Sequence, residues 1–408
     1  MKARQVHVME RFANRWKSMA KSCKILADIV NSMTDPNVVS FGGGAPAKEA
    51  LPVDIVREIC NDVLTKEGRG LEALQYGNAR GVKDLREAIV DVLLKPKGLD
   101  TTADHLVITA GGIEAVYLVC AMLLNPGDVI LVESPSFFHC VMSFEMFEAK
   151  CIACETDENG LVMEDVEAKI KEYHPKMIYT IPTFQNPTGI TMSEERRKRL
   201  AEIASAYDVM VLEDDPYRDI RFTGEDLKPI KAFDKTGNVI LANSLSKIFS
   251  PGARLGYVVA DEQFIQKLCD AKTGINTHTN VMAQVLAAEF FKRGYYPEHQ
   301  KKISDLYRER CKLMLDCIDK YFPEGTVHTM PEGGLYTWVI LPEGYNTTEI
   351  LQRSMETCKI IFVAGETCFV EGNGKGSRCM RLNFASAQPE TIQSGIKKLG
   401  ELICSMAK

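Results

Sequence analysis

The sequence predicts an α/β protein: a doubly wound, mostly parallel sheet joined to a second, smaller α/β domain. Three observations carry that prediction. Short, continuously apolar runs rich in Val and Ile recur through the middle of the chain, as strands buried on both faces do. Amphipathic helical stretches separate them, so strands and helices alternate from Leu106 to Ala260. From Pro297 onward the pattern changes to a long charged helix and a second set of strand-like runs.

In chain order, the first fifty residues precede the sheet and contain a turn element, Phe41-Gly-Gly-Gly-Ala-Pro46. The expected strands are Leu106–Ala110, Val129–Glu133, Met177–Pro182, Val209–Glu213, Val239–Asn243 and Tyr257–Ala260. Among the helices, Ser193–Tyr207 is marked by Ser193 as N-cap, with Glu194 and Glu195 in the first turn. The later part reads as a helix over Lys301–Tyr321 and strands at Leu335–Leu341, Ile360–Val363 and Cys379–Phe384. The expected division is therefore residues 1–50 packing with the small domain, 51–296 as the large domain, and 297–408 as the small one. There is no internal repeat, low-complexity tract or flexible linker.

Composition narrows the function. The chain has 408 residues, 45% of them apolar and 25% charged, which excludes disordered, collagen-like and coiled-coil chains. Lys and Arg number 49 against 55 Asp and Glu, a net charge of −6. That offers no global attraction for nucleic acid or an anionic membrane. The longest apolar stretch, Ala115–Leu124, is far short of the about 20 residues that cross a bilayer. The basic N-terminus lacks an apolar core, so no signal peptide is expected. Thirteen singly scattered Cys suit a reducing compartment, and the expectation is a cytoplasmic protein. Cys151-Ile-Ala-Cys154 lies in a strand-like stretch without a second ligand pair, so it reads as strand thiols, and no metal site is expected.

The glycine-rich segments separate into weak and informative ones. Gly42-Gly-Gly44 is not a dinucleotide fingerprint, and Glu371-Gly-Asn-Gly-Lys-Gly-Ser377 lacks P-loop spacing and reads as a hairpin-like connection. Thr109-Ala-Gly111-Gly112-Ile113 closes a strand and opens a helix. It is either a plain strand–helix turn or an anion cup of free N–H groups. Asn243-Ser-Leu-Ser-Lys247-Ile-Phe-Ser-Pro-Gly-Ala-Arg254-Leu-Gly256 places a Lys just after a strand, between hydroxyls, with an Arg seven positions on. Such a Lys is a snorkelling surface residue or an amine set for Schiff-base chemistry. Ser244, Ser246 and Arg254 would suit a phosphate. Glu213-Asp214-Asp215-Pro216-Tyr217 and Thr183-Phe-Gln-Asn186-Pro-Thr-Gly189 follow two further strands. Ligands of open α/β sheets sit beyond such strand ends. Together the four ends match a phosphorylated pyridine aldehyde held as an imine.

On these residues the chain resembles the class I/II aminotransferases, the aspartate-aminotransferase-like pyridoxal-phosphate (PLP) enzymes of fold type I. Within them it is most similar to the kynurenine/2-aminoadipate branch. The stretches that carry the resemblance are FGGGAP, LQYGNARGVKDLR, ITAGGIEA, VESPSFF, FQNPTG, EDDPY, NSLSKIFSPGARLGY, PEGGLYTW and MRLNFAS, in that order. The resemblance implies that Lys247 carries PLP as a Schiff base and then moves the substrate proton. Asp214 would hold the pyridine nitrogen protonated, and Asn186 and Tyr217 would bond the phenolic oxygen. Phe137 would stack on the ring. Gly111, Gly112, Ile113, Ser244, Ser246 and Arg254 would cradle the phosphate, with Tyr76 reaching the phosphate of a neighbouring subunit in a homodimer that shares its active sites. Arg381, Asn186 and the Gly44 backbone would take the substrate carboxylate. The chain departs from many relatives at Gly112-Ile113, where they carry a Ser-Gln pair, and at Val363-Ala364-Gly365, where the branch has VPG.

The implied reaction is transamination between an amino acid and a 2-oxo acid, with 2-oxoglutarate as acceptor. Two alternatives share the same motifs: a C–S β-lyase of the superfamily, and a PLP-sensing regulatory module. The expectation against the module is that the chain starts too close to the fold for a winged helix, and the net charge offers no DNA surface. An acidic substrate would need a second cation, for which Lys24 and Arg11 are the candidates. The six His besides His139, like His139 itself, show no ligand spacing.

Overall fold

The computed structural model describes residues 37–65 and 67–407, with 12, 13, 15, 16, 19, 23, 27 and 35 before them. Lys24 and Arg11 lie outside the described residues. After β1 (Val39–Ser40), the strands of the large sheet are β2 (Leu106–Thr109), β3 (Val129–Ser134), β4 (Lys150–Asp157), β5 (Gly160–Leu161), β6 (Met177–Thr180), β7 (Met210–Asp214), β8 (Val239–Ser244) and β9 (Gly256–Val259). Their order is β2-β9-β8-β7-β6-β3-β4-β5. β4, β3, β6, β7 and β8 run parallel.

The strands read as fully apolar because the sheet is covered on both faces. Ile130, Val132, Met177, Tyr179 and Leu212 pack into one core, while their neighbours Leu131, Ile178 and Val211 pack into another. The period of two sends adjacent residues to opposite faces. Each such aliphatic side chain contributes about 1.5–3 kcal/mol when fully buried. The same alternation separates Cys151 from Cys154, one touching each core. They cannot close on one ion, and burial pushes both thiols up to about 12. No cluster of metal-ligating side chains occurs among the described residues. No described helix is long and apolar enough to cross a membrane.

One strand departs from the parallel pattern. β9 is antiparallel to both β8 and β2. The link from β8 to β9 is the short segment 245–255, which holds only a 3₁₀ turn and a loop. A parallel return needs a crossover, usually a helix.

The rest of the chain forms a four-stranded antiparallel sheet: β10 (Val327–His328), β11 (Tyr336–Ile340), β13 (Val363–Ala364) and β14 (Cys379–Asn383), in the order β10-β11-β14-β13. β12 (Ile360–Ile361) pairs in parallel with β1, and Asn383 N donates to Phe41 O at 2.8 Å. Residues 39–41 are thus stitched to the C-terminal part of the chain. The long helix starts at Tyr296, earlier than the expected Lys301, because Pro297 occupies its first turn. A boundary between 296 and 297 therefore cuts that turn, where Tyr296 Oη donates to Asp219 Oδ1 at 3.1 Å and Gln300 Nε2 to Asp219 O at 3.0 Å. Helix Glu194–Tyr207 is capped by Ser193 as expected, with Arg196 N donating to Ser193 Oγ at 3.4 Å.

Candidate active site

The carboxyl ends of β2, β3, β6, β7 and β8, and the start of β9, open on one side of the large sheet. A cleft of about 300 Å³ lies there. It is lined by Gly44, Gly112, Ile113, Phe137, Asp214, Tyr217, Ser244, Ser246, Lys247, Arg254 and Arg381, all named from the sequence.

One end of the cleft is a cup for an anion. Gly111 has φ of +89° and precedes helix Gly112–Leu123. A Cβ on Gly111 would collide with the Arg254 guanidinium, so glycine is needed for that side chain to lie across the turn. The first N–H groups of the helix have no intrahelical partner. Ser244, the last residue of β8, and Ser246, in the 3₁₀ turn after it, face them, bonded Oγ to Oγ at 2.9 Å. Arg254 itself is held by its own backbone turn, with φ of +50° and bonds to Ala110 O at 3.1 Å and Pro251 O at 3.4 Å.

The floor is acidic. β7 ends in three acids, and alternation gives each a different task. Glu213 accepts the N–H groups of Ile230 and Lys231, both at 2.8 Å. Asp215 lies 3.2 Å from Arg218 Nε. Asp214 faces the cleft with neutral donors: Tyr179 Oη at 2.8 Å and Cys140 Sγ at 3.7 Å, both on Oδ2. Burial pushes the Asp214 carboxyl up to about 7, with the Tyr179 bond pulling against it. Above the floor, Lys247 Nζ donates to Gly44 O at 2.8 Å. Burial first, then the charges of Arg254 and Arg381, bring its amine down to about 8.

The other end is a linked set of side chains. Asn186 Nδ2 donates to Tyr217 Oη at 3.0 Å, and Arg381 Nη1 donates to Asn186 Oδ1 at 2.6 Å. Arg381 Nη2 reaches Gly42 O at 2.5 Å, its guanidinium stacks 4.2 Å from the Tyr336 ring centroid, and its Nε has no hydrogen-bond partner among the described residues. Arg381 is 3% exposed yet pairs with no carboxylate among the described residues. Burial raises the Tyr217 hydroxyl, so it stays a donor.

Tyr76 stands apart. It is 84% exposed, absent from the cleft lining, and its ring meets the His278 ring edge-on, 5.7 Å between centroids. Sequence reasoning did not single out Tyr336, Phe138 and His139, which line the cleft, nor Tyr179 and Cys140 beneath Asp214. Tyr336 lay inside the PEGGLYTW stretch and Phe138 inside VESPSFF; the others carried no signal. Burial and the nearby Arg254 lower the His139 imidazole, so it is neutral.

The set fits PLP: an anion cup, a buried carboxyl with neutral neighbours at the far side, an aromatic wall at Phe137 and an amine between them.

The family described as aminotransferase class I and II matches residues 36–399. The aromatic-amino-acid aminotransferase 1 of Thermococcus litoralis is 37% identical over 95% of this chain and 93% of its own. The kynurenine aminotransferase of Pyrococcus horikoshii, solved with PMP, has a TM-score of 0.90 at 35% identity over 98% of both chains. LysN, the alpha-aminoadipate aminotransferase of Thermus thermophilus, solved with N-(5'-phosphopyridoxyl)-L-leucine, has a TM-score of 0.86 at 29% identity over 98% of both chains.

Proposed function

The chain belongs to the class I and II aminotransferases, PLP-dependent enzymes of fold type I, and on that premise we propose which residues do the work and on what. When bound, PLP supplies an electron sink for the bonds at the substrate Cα. Lys247 is the amine that carries it and the base that takes the Cα proton. An amine brought down to about 8 is partly neutral near pH 7, as a nucleophile and base must be. Asp214 holds positive charge at the ring nitrogen, and Asn186 and Tyr217 donate to the phenolic oxygen. Gly111, Gly112, Ile113, Ser244, Ser246 and Arg254 take the phosphate. Arg381, with Asn186 and the backbone at Gly44, takes the substrate α-carboxylate.

The observation that carries this reading is the amine of half-buried Lys247, held to Gly44 O between an anion cup and a buried arginine that has no carboxylate partner among the described residues. The amino donor is aromatic or apolar: Phe137, Phe138 and Tyr336 form the walls, and the described cations of the cleft already have tasks. The acceptor is 2-oxoglutarate, whose second carboxylate calls for a further cation, for which Lys24 and Arg11 are the candidates named from the sequence. The active protein is a homodimer in which Tyr76, exposed beside Leu71 and Leu74, reaches the phosphate of the second copy.

Borohydride reduction of the holoenzyme, followed by peptide mapping, should mark Lys247; a label on another lysine overturns the assignment. A donor screen against 2-oxoglutarate and pyruvate should yield a 2-oxo acid and a new amino acid in equal amounts. Release of pyruvate, ammonia and a thiol from a cysteine conjugate, without any acceptor, would favour the lyase.

A further inference from the structure

At the end of β3, outside the cleft lining, lies a buried carboxyl group that the reaction does not use. Glu133 is 2% exposed, and no cation among the described residues pairs with it. Three neutral donors hold it instead. Thr180 Oγ1 donates to Oε1 at 2.6 Å; Ile181 N and Gln185 Nε2 donate to Oε2 at 3.2 and 3.0 Å. Ile181 N and Gln185 Nε2 can only donate, so Oε2 serves them as acceptor, while the Thr180 hydroxyl can donate or accept. Burial pushes the group up to about 7 while the three donors pull it down. Leaving any of those donors unmet in the interior is costly.

All three donors come from the end of β6 and the loop after it. Gln185 is the pivot of that loop. Its Nε2 also reaches Pro135 O at 2.9 Å, and its Oε1 accepts Thr188 N and Thr188 Oγ1 at 2.8 and 2.7 Å. Its own N–H donates to Ile190 O at 2.8 Å. Just before it, Phe184 has φ of +50°. An L-residue keeps that conformation only where its surroundings hold it there. Just after it stands Asn186, which bridges Tyr217 and Arg381.

We propose that Glu133 is a positioning residue for the substrate-carboxylate site, holding the loop 181–190 through Gln185 so that Asn186 stands between Tyr217 and Arg381. This rests on the reading of Asn186 and Arg381 as the groups that take the carboxylate. A group that merely closed the β3–β6 seam would act on the whole fold and not on one end of the cleft.

The test uses Glu133→Gln holoenzyme, with 3-phenylpropanoate as a carboxylate probe and L-phenylalanine as donor. The variant keeps the shape but removes the charge: its NH2 can donate to Thr180 Oγ1 and its carbonyl still accepts from Ile181 N and Gln185 Nε2, so only the charge-assisted part of those bonds is lost. Inhibition by 3-phenylpropanoate and the KM for phenylalanine should weaken about tenfold, the scale of one lost charge-assisted bond. The kcat at saturation and PLP retention should stay within about threefold, because Tyr217 also serves the phenolic oxygen, and melting temperature should hold. Arg381→Ala is the control. If it leaves 3-phenylpropanoate binding unchanged, the carboxylate reading fails and takes this proposal with it. If it weakens binding but Glu133→Gln does not, the proposal alone is overturned. It is equally overturned if Glu133→Gln lowers kcat, PLP retention and melting temperature together with KM. Should Glu133→Gln not fold, Gln185→Met, which cuts the same link at similar volume, is read by the same criteria.

Discussion

At one end of the cleft, Gly112, Ile113, Ser244, Ser246 and Arg254 all stand at strand ends of a single sheet, and four of the five follow β2 or β8 within a few residues. At the other end, Gly44, Asn186, Tyr336 and Arg381 arrive from four segments scattered over most of the chain. The anion cup joins two segments, each shaped by its own backbone: a positive φ with free N–H groups at Gly111–Ile113, and two serines with Arg254 in the stretch 244–254. The arginine end needs register. Arg381 pairs across with Trp338 on one side and Val363 on the other, and Tyr336 pairs with Asn383. A slip of one residue in β14 would turn Arg381 to the opposite face. One end therefore brings together two turns that are each locally shaped, and the other needs four segments with β14 in register.

The floor between the two ends should be the most sensitive point. Asp214→Ala should lower kcat by two to four orders of magnitude with PLP still bound, since breaking a buried charge pair costs about 3–5 kcal/mol. Single-turnover kinetics at matched cofactor occupancy measures this, and near-normal turnover would remove Asp214 from the mechanism.

The contrast between the ends can be sharpened with one conservative change at each. Arg381→Lys should raise the amino-acid KM by about two orders, because a point charge cannot replace a buried planar fork. Arg254→Lys should weaken PLP retention by less than about tenfold, because lysine serves a phosphate as a point charge. Equal losses at both ends would contradict the distinction.

Tyr76 tests whether the cup is complete within one chain. A hydroxyl donated to a phosphate is worth about 1.5–3 kcal/mol, so Tyr76→Phe should weaken PLP retention by one to two orders. Mixing Tyr76→Phe with Lys247→Ala should restore some activity, since a heterodimer of shared sites holds one site with both lesions and one with neither. Sedimentation as a monomer, or no recovery after verified subunit exchange, would leave Tyr76 without that role.

The smallest effect is on pH. Lys247 is brought down to about 8 from its ordinary value, so its neutral fraction rises with pH. Uptake of PLP by the apo-protein should increase about tenfold from pH 7 to pH 9 and level off above. A profile still climbing steeply near pH 10 would mean an unshifted amine.

The difference between the ends also explains what could be read in advance. The six expected strands of the large sheet, the Ser193 cap and the Gly111 turn are local matters of periodicity and φ, and the structure places each within a residue or two of the reading. Lys247, Ser244, Ser246 and Arg254 were visible because one continuous segment carries them. The antiparallel run of β9 was not visible, since it depends on which strands become neighbours. Neither was the early start of the long helix, which Pro297 decides. Tyr179, Cys140 and His139 gave no signal because a lone tyrosine, thiol or imidazole in an apolar stretch looks like core.

The acids at the end of β7 show where the division falls. The sequence by itself determined that three carboxyls follow a buried strand, and that a period of two must send Asp214 to the face opposite Glu213 and Asp215. Only the tertiary structure decided which face looks into the cleft, because that depends on Tyr179 one strand away, on Cys140 in the helix after β3, and on Arg218, which lies beside Asp215. The same packing excludes water from all three, and it is that loss of solvent, invisible in any residue's identity, that brings Asp214 to about 7 and Lys247 to about 8.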